Sequence, residues 1–396
     1  MNKNGALKAG RYWFVSFVGV LALLLLLPGS QTARARDSHS QYLVYVGTRG
    51  KHDVGIYGYR FNGDTEKLTS LGFEAETADP FSLVASRDGR ILYAANIISN
   101  FKDQGTGSVS AFAVDRQTGK LTLVDQVSSG GAGPAYVSMD RTGRFLLVAN
   151  YVGGSVAVLP VREDGSPGKV TGFVQHSGSS EDPKRQESPH PHAFNVSPDN
   201  RFALAADLGL DKLLVYQFNS TTGSLSPAEP PYASVKRGSG PRHFVFSPNG
   251  KFVYVVNEMG STISVFSYDA RSAALHDLQM ISTLPEGFAG KNTGAEVAVS
   301  RSGKFLYSSN RGNDTIAVFA ISPRRGTLTP IEYAPVQGEI PGMFAFDPSG
   351  DYLFVANQGS DNVVVLRVNQ KTGRLTPTGQ AVNLPGPVSL AFVAVQ

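Results

Sequence analysis

The sequence predicts an all-β protein: a seven-bladed β-propeller of four-stranded antiparallel sheets, its ring closed by N- and C-terminal strands that share one blade. Three observations lead there. A strand ending in Asn or Asp recurs at Asn96, Asn150, Asp207, Asn257, Asn310 and Asn357, with gaps of 54, 57, 50, 53 and 47 residues. Each period holds four short strand-like runs, as in Ala295–Pro330 (AEVAVSRSGKFLYSSNRGNDTIAVFAISPRRGTLTP). The N-terminal copy begins at its second strand, and the missing first strand lies at the other end of the chain. Four-stranded sheets at this period cannot bury both faces alone and must pack against neighbours in a ring.

With the strands of each repeat labelled A to D, strand A is expected at about 81–86, 135–139, 192–197, 242–247, 295–300 and 342–347. Tyr42–Gly47 reads as a B strand, Val54–Phe61 as the following C strand, and Pro387–Phe392 as the A strand that completes that sheet. Joining the termini in one blade removes an exposed strand edge. After Gln41 no run shows a convincing 3.6-residue period.

Composition fits one large globular domain, with 41% hydrophobic residues among 396 and with 43 glycines and 23 prolines to supply turns. No cysteine is present, so disulfides, thiolate metal sites and cysteine nucleophiles are excluded. Residues 1–35 differ from the rest: Lys3, Lys8 and Arg11 precede an apolar run, and Ala33-Arg34-Ala35 offers small residues for cleavage. They read as a signal peptide cut after Ala35, leaving residues 36–396 as the propeller domain, periplasmic or secreted. At about 16 residues the apolar run is short for a membrane span. The four positive charges of this segment account for the whole formal charge of +4. The mature chain is therefore near neutral, and nucleic-acid binding is not expected.

Antiparallel pairing places the start of strand A and the end of strand B at the same end of a sheet. In a propeller strand A is innermost, so those positions ring one mouth of the central channel. The residues starting strand A are Phe81, Ala135, His192, Arg242, Ala295, Gly342 and Val388. Those following the end of strand B are Arg49, Ile97, Tyr151, Leu208, Glu258, Arg311 and Gln358. His192, Arg242, Glu258 and Arg311 should thus converge on one side of one mouth. Such a set can take a proton from water, stabilise an oxyanion and hold a carboxylate. It suits small anionic or carbonyl-bearing ligands.

The pieces RQESPHPH ending at His192, GPRHFVFSPNGKFVYVVNE ending at Glu258, AEVAVSRSGKFLYSSNRGNDTI and VANQGSDNVVV resemble the seven-bladed propeller lactonase family. That family includes bacterial 6-phosphogluconolactonase and the fungal carboxy-cis,cis-muconate cyclase, and the resemblance covers essentially all of 42–396. With the signal segment, it implies an exported lactonase that hydrolyses a small lactone ring, with a lactone or a carboxylate or sugar acid as its ligand. It also implies a catalytic set of one histidine, one glutamate and two arginines, matching His192, Glu258, Arg242 and Arg311. His192 and Glu258 would be the acid/base groups, and the arginines would bind and polarise substrate. The phosphogluconolactonase branch opens its last copy with Pro-Arg, whereas this chain has Pro341-Gly342-Met343. One lost charge-assisted contact is worth roughly 1.5–3 kcal/mol, which argues against a phosphorylated substrate.

Arg49, by its rim position, and His190 and His243, within the HPH and PRH landmarks, are expected as substrate-binding residues. Strand alternation turns His190 away from His192, so a structural part for it stands beside that reading. No second partner for His176, His243 or His276 is legible, and no cluster has metal-ligand spacing; neither metal nor cofactor is expected. The Asn/Asp series with its glycines (Gly153, Gly209, Gly312, Gly359) reads as structural, fitted to left-handed or turn conformations. Glu258 and Arg242 also allow a plain inter-strand ion pair. Two other functions fit the fold: a non-catalytic binding or surface propeller, since VANYVGGSVAV resembles YVTN repeats, and a cyclase running the reverse reaction.

Overall fold

The structure, a computed structural model, describes residues 41–50 and 54–395; the expected signal peptide over 1–35 lies outside them. Seven four-stranded antiparallel sheets form the molecule. Blade 1 pairs Pro387–Ala394 (strand A) with Gln41–Thr48 (B), Gly55–Asn62 (C) and Lys67–Glu76 (D), so the two ends of the chain share one sheet. Blades 2 to 7 are continuous and begin with the inner strands Pro80–Ala85, Pro134–Met139, Pro191–Val196, Pro241–Phe246, Thr293–Val299 and Pro341–Phe346. These inner strands contact one another in sequence, and Pro387–Ala394 touches both Pro341–Phe346 and Pro80–Ala85, which closes the circle. The expected strand starts are met within one or two residues. Among the described residues the one helical piece is the short 3-10 turn Phe101–Asp103.

Burial falls from the second strand outwards. The B strands Ile91–Asn96, Phe145–Asn150, Phe202–Asp207, Phe252–Asn257 and Tyr352–Asn357 are buried along their whole length, because both faces pack against neighbouring blades. The D strands alternate and leave Phe73, Leu123 and Met280 exposed. The apolar core is correspondingly divided into seven clusters, each straddling one blade pair. Between blades 5 and 6, for example, Tyr254, Val256 and Ile263 meet Val297, Leu306 and Phe319. Each large side chain buried this way contributes about 1.5–3 kcal/mol.

Polar sutures join the same interfaces. Tyr45, Tyr93, Tyr254 and Tyr307, each three residues before the end of strand B, donate to the carbonyl oxygens of Gly119, Gly165, Gly326 and Gly373 in the next blade's C–D turn. Tyr352 of blade 7 reaches Gly63 of blade 1.

The Asn/Asp series is structural in a different way from the one its composition suggests. Asn96, Asn257 and Asn310 are fully buried and bond across to strand C: Asn257 Nδ2 donates to Thr262 Oγ1 and Ser264 Oγ. The left-handed residue falls four positions later, at Gly154, Asp211, Ser261, Asp314 and Asp361. Of the four glycines singled out in the sequence, Gly312 alone has positive φ. Gly209 is needed for close approach, since a Cβ there would lie 1.9 Å from the Ser188 carbonyl oxygen, in the segment leading to His192.

Candidate active site

A β-bulge sets the first residue of most inner strands. The ladders skip from Pro80 to Ser82, Pro134 to Tyr136, Pro191 to Ala193, Pro241 to His243 and Pro341 to Met343. The extra residues are Phe81, Ala135, His192, Arg242 and Gly342. Proline supplies no N–H for the ladder, and a bulge re-aims the next side chain, here into the channel mouth. In blade 6, where Gly294 replaces proline, the ladder skips from Gly294 to Val297 and frees both Ala295 and Glu296. The residue after each bulge position forms a second ring one step deeper: Ser82, Tyr136, Ala193, His243, Glu296, Met343 and Ser389.

Glu258 is the electrostatic centre of the mouth. Its Oε1 accepts from Arg185 Nη2 at 2.6 Å, while Oε2 lies 2.9 Å from Arg311 Nη2 and 3.3 Å from Arg242 Nε. Burial by itself would raise its carboxyl pKa, but Arg311 and Arg242, then His192 and Arg185, bring it down to about 2. It is a fixed anion that holds three guanidiniums. Arg242 is buried, and burial together with Arg311 lowers its pKa to about 10 despite Glu258 and Glu296. Its Nη1 donates to the Ala295 carbonyl oxygen at 2.7 Å.

His192 is 5% exposed, packed edge-on to Tyr151 and His243 with centroid separations of 5.3 and 5.0 Å. Burial, and then the nearby Arg242 and His243, hold its pKa well below the ordinary value, so its imidazole is neutral. Its Nδ1 has no hydrogen-bond partner, and the same is true of the buried Nε atoms of Arg242 and Arg311. Glu258 is near enough to Arg242 Nε for an ion pair but off line for a hydrogen bond. Buried polar atoms are normally satisfied. Three unsatisfied ones in residues that share the Glu258 cluster mark the place where a polar ligand would complete the set.

The structure thus brings His192, Arg242, Glu258 and Arg311 together. His243 lies directly beneath Arg242, with Nδ1 2.8 Å from Glu296 Oε2. Arg49 is exposed on the rim, its guanidinium 5.6 Å from the Phe81 ring centre. His190 stacks on Tyr151 at 4.7 Å and bonds through Nδ1 to the Tyr151 carbonyl oxygen at 2.9 Å. It supports the wall of the site rather than opening into it, as strand alternation indicates.

Three participants escaped the sequence reading. Arg185 comes from the long segment between Gly172–Gln175 and Pro191–Val196, outside the repeat pattern. Glu296 is delivered by the double bulge, which the GAE in place of Pro-X-X signals. His176 does have partners: Nδ1 lies 2.6 Å from Asp207 Oδ2 and Nε2 2.8 Å from the Tyr216 hydroxyl. Asp207 Oδ1 in turn accepts the His190 N–H at 2.8 Å, a buried chain that ties the HPH segment to blade 4. Among the described residues no group of carboxylates and histidines could hold a metal ion.

The family description "Lactonase, 7-bladed beta-propeller" matches residues 43–392. This chain belongs to that family. It is 33% identical to 6-phosphogluconolactonase of Bacillus subtilis over 310 residues, which cover 78% of this chain and 86% of that protein. A 6-phosphogluconolactonase of Formosa agariphila is likewise 33% identical, over 77% of this chain and 86% of the relative. Among solved structures, the periplasmic gluconolactonase PpgL of Pseudomonas aeruginosa is 36% identical with a TM-score of 0.84, and the match covers 90% of this chain and all of that one. Lactonases hydrolyse an internal ester, and the convergence of imidazole and guanidiniums at this mouth is in keeping with that chemistry.

Proposed function

We propose that this chain is an exported lactonase that opens a small, non-phosphorylated sugar lactone, with His192 as the general base. The observation that carries the reading is the set of three unsatisfied buried atoms: His192 Nδ1, Arg242 Nε and Arg311 Nε. Five other unsatisfied buried atoms among the described residues, in Asn150, Asn257, Tyr268, Ser308 and Asn357, belong to the strands of the blades; these three differ in sharing the Glu258 cluster at the mouth, where water and a lactone carbonyl would satisfy them.

In the proposed reaction, water attacks the lactone carbonyl carbon while His192 takes its proton, and the carbonyl oxygen becomes an oxyanion facing Arg242 and Arg311. Collapse breaks the ring C–O bond, and the departing alkoxide takes the proton back from His192. The product is a hydroxy acid, which ionises. His192 fits the base role because it is neutral, has a free nitrogen, and lies near the Glu258 carboxylate, whose charge favours the imidazolium that forms against the effect of burial and Arg242. Glu258, ionised down to about pH 2, has little basicity and instead keeps the arginines fixed and pre-aimed. Arg185, half-exposed at the outer edge of the cluster, is placed to meet the substrate's polar groups.

Gly342 supports a substrate without phosphate, since it presents no charge where an arginine would stand. Export is supported by the basic and apolar segment before Ala35 and by the relative named as periplasmic. The test is to secrete the chain, identify the mature N-terminus, expected at Arg36, and follow acid release in a pH-stat. Gluconolactone, its 6-phosphate and muconolactones should be compared. Turnover of gluconolactone above that of the 6-phosphate is expected; acid release at the uncatalysed rate from every lactone would reject the assignment.

A further inference from the structure

One residue deeper than His192 and Arg242, the second ring carries an imidazole and a carboxyl group in equivalent positions of adjacent blades, His243 and Glu296. Their side chains meet across the blade 5/6 interface at 2.8 Å. Both residues are buried, as is the neighbouring Arg242. The Glu296 carboxyl is fully engaged: Oε1 accepts the Val297 N–H at 3.0 Å and Oε2 faces His243 Nδ1. Ser309 Oγ accepts the Glu296 N–H that the double bulge removes from the ladder. The pair therefore has one defined geometry.

Its surroundings decide where a proton goes. Arg242 Nη1 lies 3.4 and 3.5 Å from the two ring nitrogens of His243. An in-plane approach equidistant from both would collide with the ring carbon between them, so the guanidinium lies over the ring face. That position disfavours an imidazolium, and burial does the same; His243 is held well below its ordinary pKa. The other groups facing the pair are Tyr136 from blade 3, whose hydroxyl bonds Asn195, His192 from blade 4, and the more distant charges of Glu258 and Arg311. Burial raises Glu296 to about 7, against the pull of Arg242 and the Val297 N–H. Glu296 and Tyr136 also line a cavity of about 640 Å³ formed by the ends of strands A and the A–B turns, on the far side from His192.

We propose that Glu296 and His243 are positioning residues for His192, a pair that exchanges one proton and thereby switches His243 Nε2 between hydrogen-bond donor and acceptor in the channel. With Glu296 ionised, its carboxylate accepts the proton on Nδ1, and Nε2 is a bare acceptor. When the pair gains a proton, the carboxyl donates to Nδ1 and the ring's own proton resides on Nε2. The outcome at Nε2 is the same wherever in the pair the proton is counted. In the ionised state a negative charge lies behind His192 and favours the imidazolium that forms as water is deprotonated. The inference that this assists catalysis rests on the lactonase reading; the switch itself does not.

The test has two arms. Mature protein labelled with nitrogen-15 histidine is followed by NMR from pH 5.5 to 8.5, with the His243 signal assigned by its loss in His243→Gln. Nε2 should change from donor to acceptor as pH rises through about 7, and the change should vanish in Glu296→Gln. In parallel, kcat/KM for gluconolactone should rise about tenfold over the same range in wild type and stay flat in Glu296→Gln. An Nε2 that keeps one state throughout overturns the switch. A switch with an unchanged rate profile in Glu296→Gln overturns its service to His192. If wild type turns over no lactone, the lactonase reading fails and the catalytic part falls with it, while the NMR arm still decides the switch.

Discussion

Glu258 and Glu296 lie in successive rings of the same channel and differ in everything that matters for a carboxyl group. Glu258 meets three guanidiniums and is driven down to about 2; Glu296 meets one imidazole and an obliquely placed arginine and is pushed up to about 7. Both are buried, so burial alone does not set the sign. The number of cations in reach does, and the bulges that begin the inner strands determine that number.

The most damaging way to break the contrast is Glu258→Gln. It leaves three arginines facing one another without their anion, and loss of one partner from such a buried set costs about 3–5 kcal/mol. Thermal and denaturant unfolding should show it. Because the folded pKa of Glu258 is depressed, its contribution is complete above the unfolded value near 4.5 and is lost as pH falls toward 2. The gap between wild type and variant should therefore narrow in acid.

His192→Ala and Arg242→Ala should each lower lactone kcat/KM by about a hundredfold or more with the sheets intact by circular dichroism. Wild-type turnover in both variants would break the division of labour at the mouth. For Glu296 the sign of the pH effect reverses: a raised carboxyl pKa stabilises below the unfolded value near 4.5 and loses that benefit as pH rises through about 7. Glu296→Gln should accordingly gain stability relative to wild type between pH 5 and pH 8. A gap that is constant with pH would put Glu296 in an ordinary ion pair.

The smallest change sharpens the comparison by adding a cation at the mouth. A Cβ on Gly342 would approach nothing nearer than 3.9 Å, so an arginine fits there without backbone strain. Gly342→Arg should shift preference toward the 6-phosphate of gluconolactone by about tenfold, the worth of one charge-assisted contact, in paired kinetics with both lactones.

The ring and its mouth were legible because the repeat converts sequence position into place. Once Asn257 and Asn310 are recognised as equivalent, Glu258 and Arg311 must be neighbours. Arg185 was hidden because it belongs to a segment that no other blade possesses. Glu296 was hidden because one extra bulged residue moved it from a strand face into the channel, and spacing alone does not announce that. His176 and Asp207 stood in plain view 31 residues apart, yet their pairing depends on how the loop before blade 4 folds back.

The shared first blade has a consequence for the order in which the protein can form. Its innermost strand, Pro387–Ala394, follows every other described strand along the chain, while its partner Gln41–Thr48 precedes them all. Six blades can pair their own strands as the chain emerges, but the circle stays an open arc until Pro387–Ala394 docks beside Gln41–Thr48. Deletion of Pro387–Ala394 would leave a gap between the inner strands that carry Phe81 and Gly342, and the Phe81 ring centre lies 6.3 Å from that of His192.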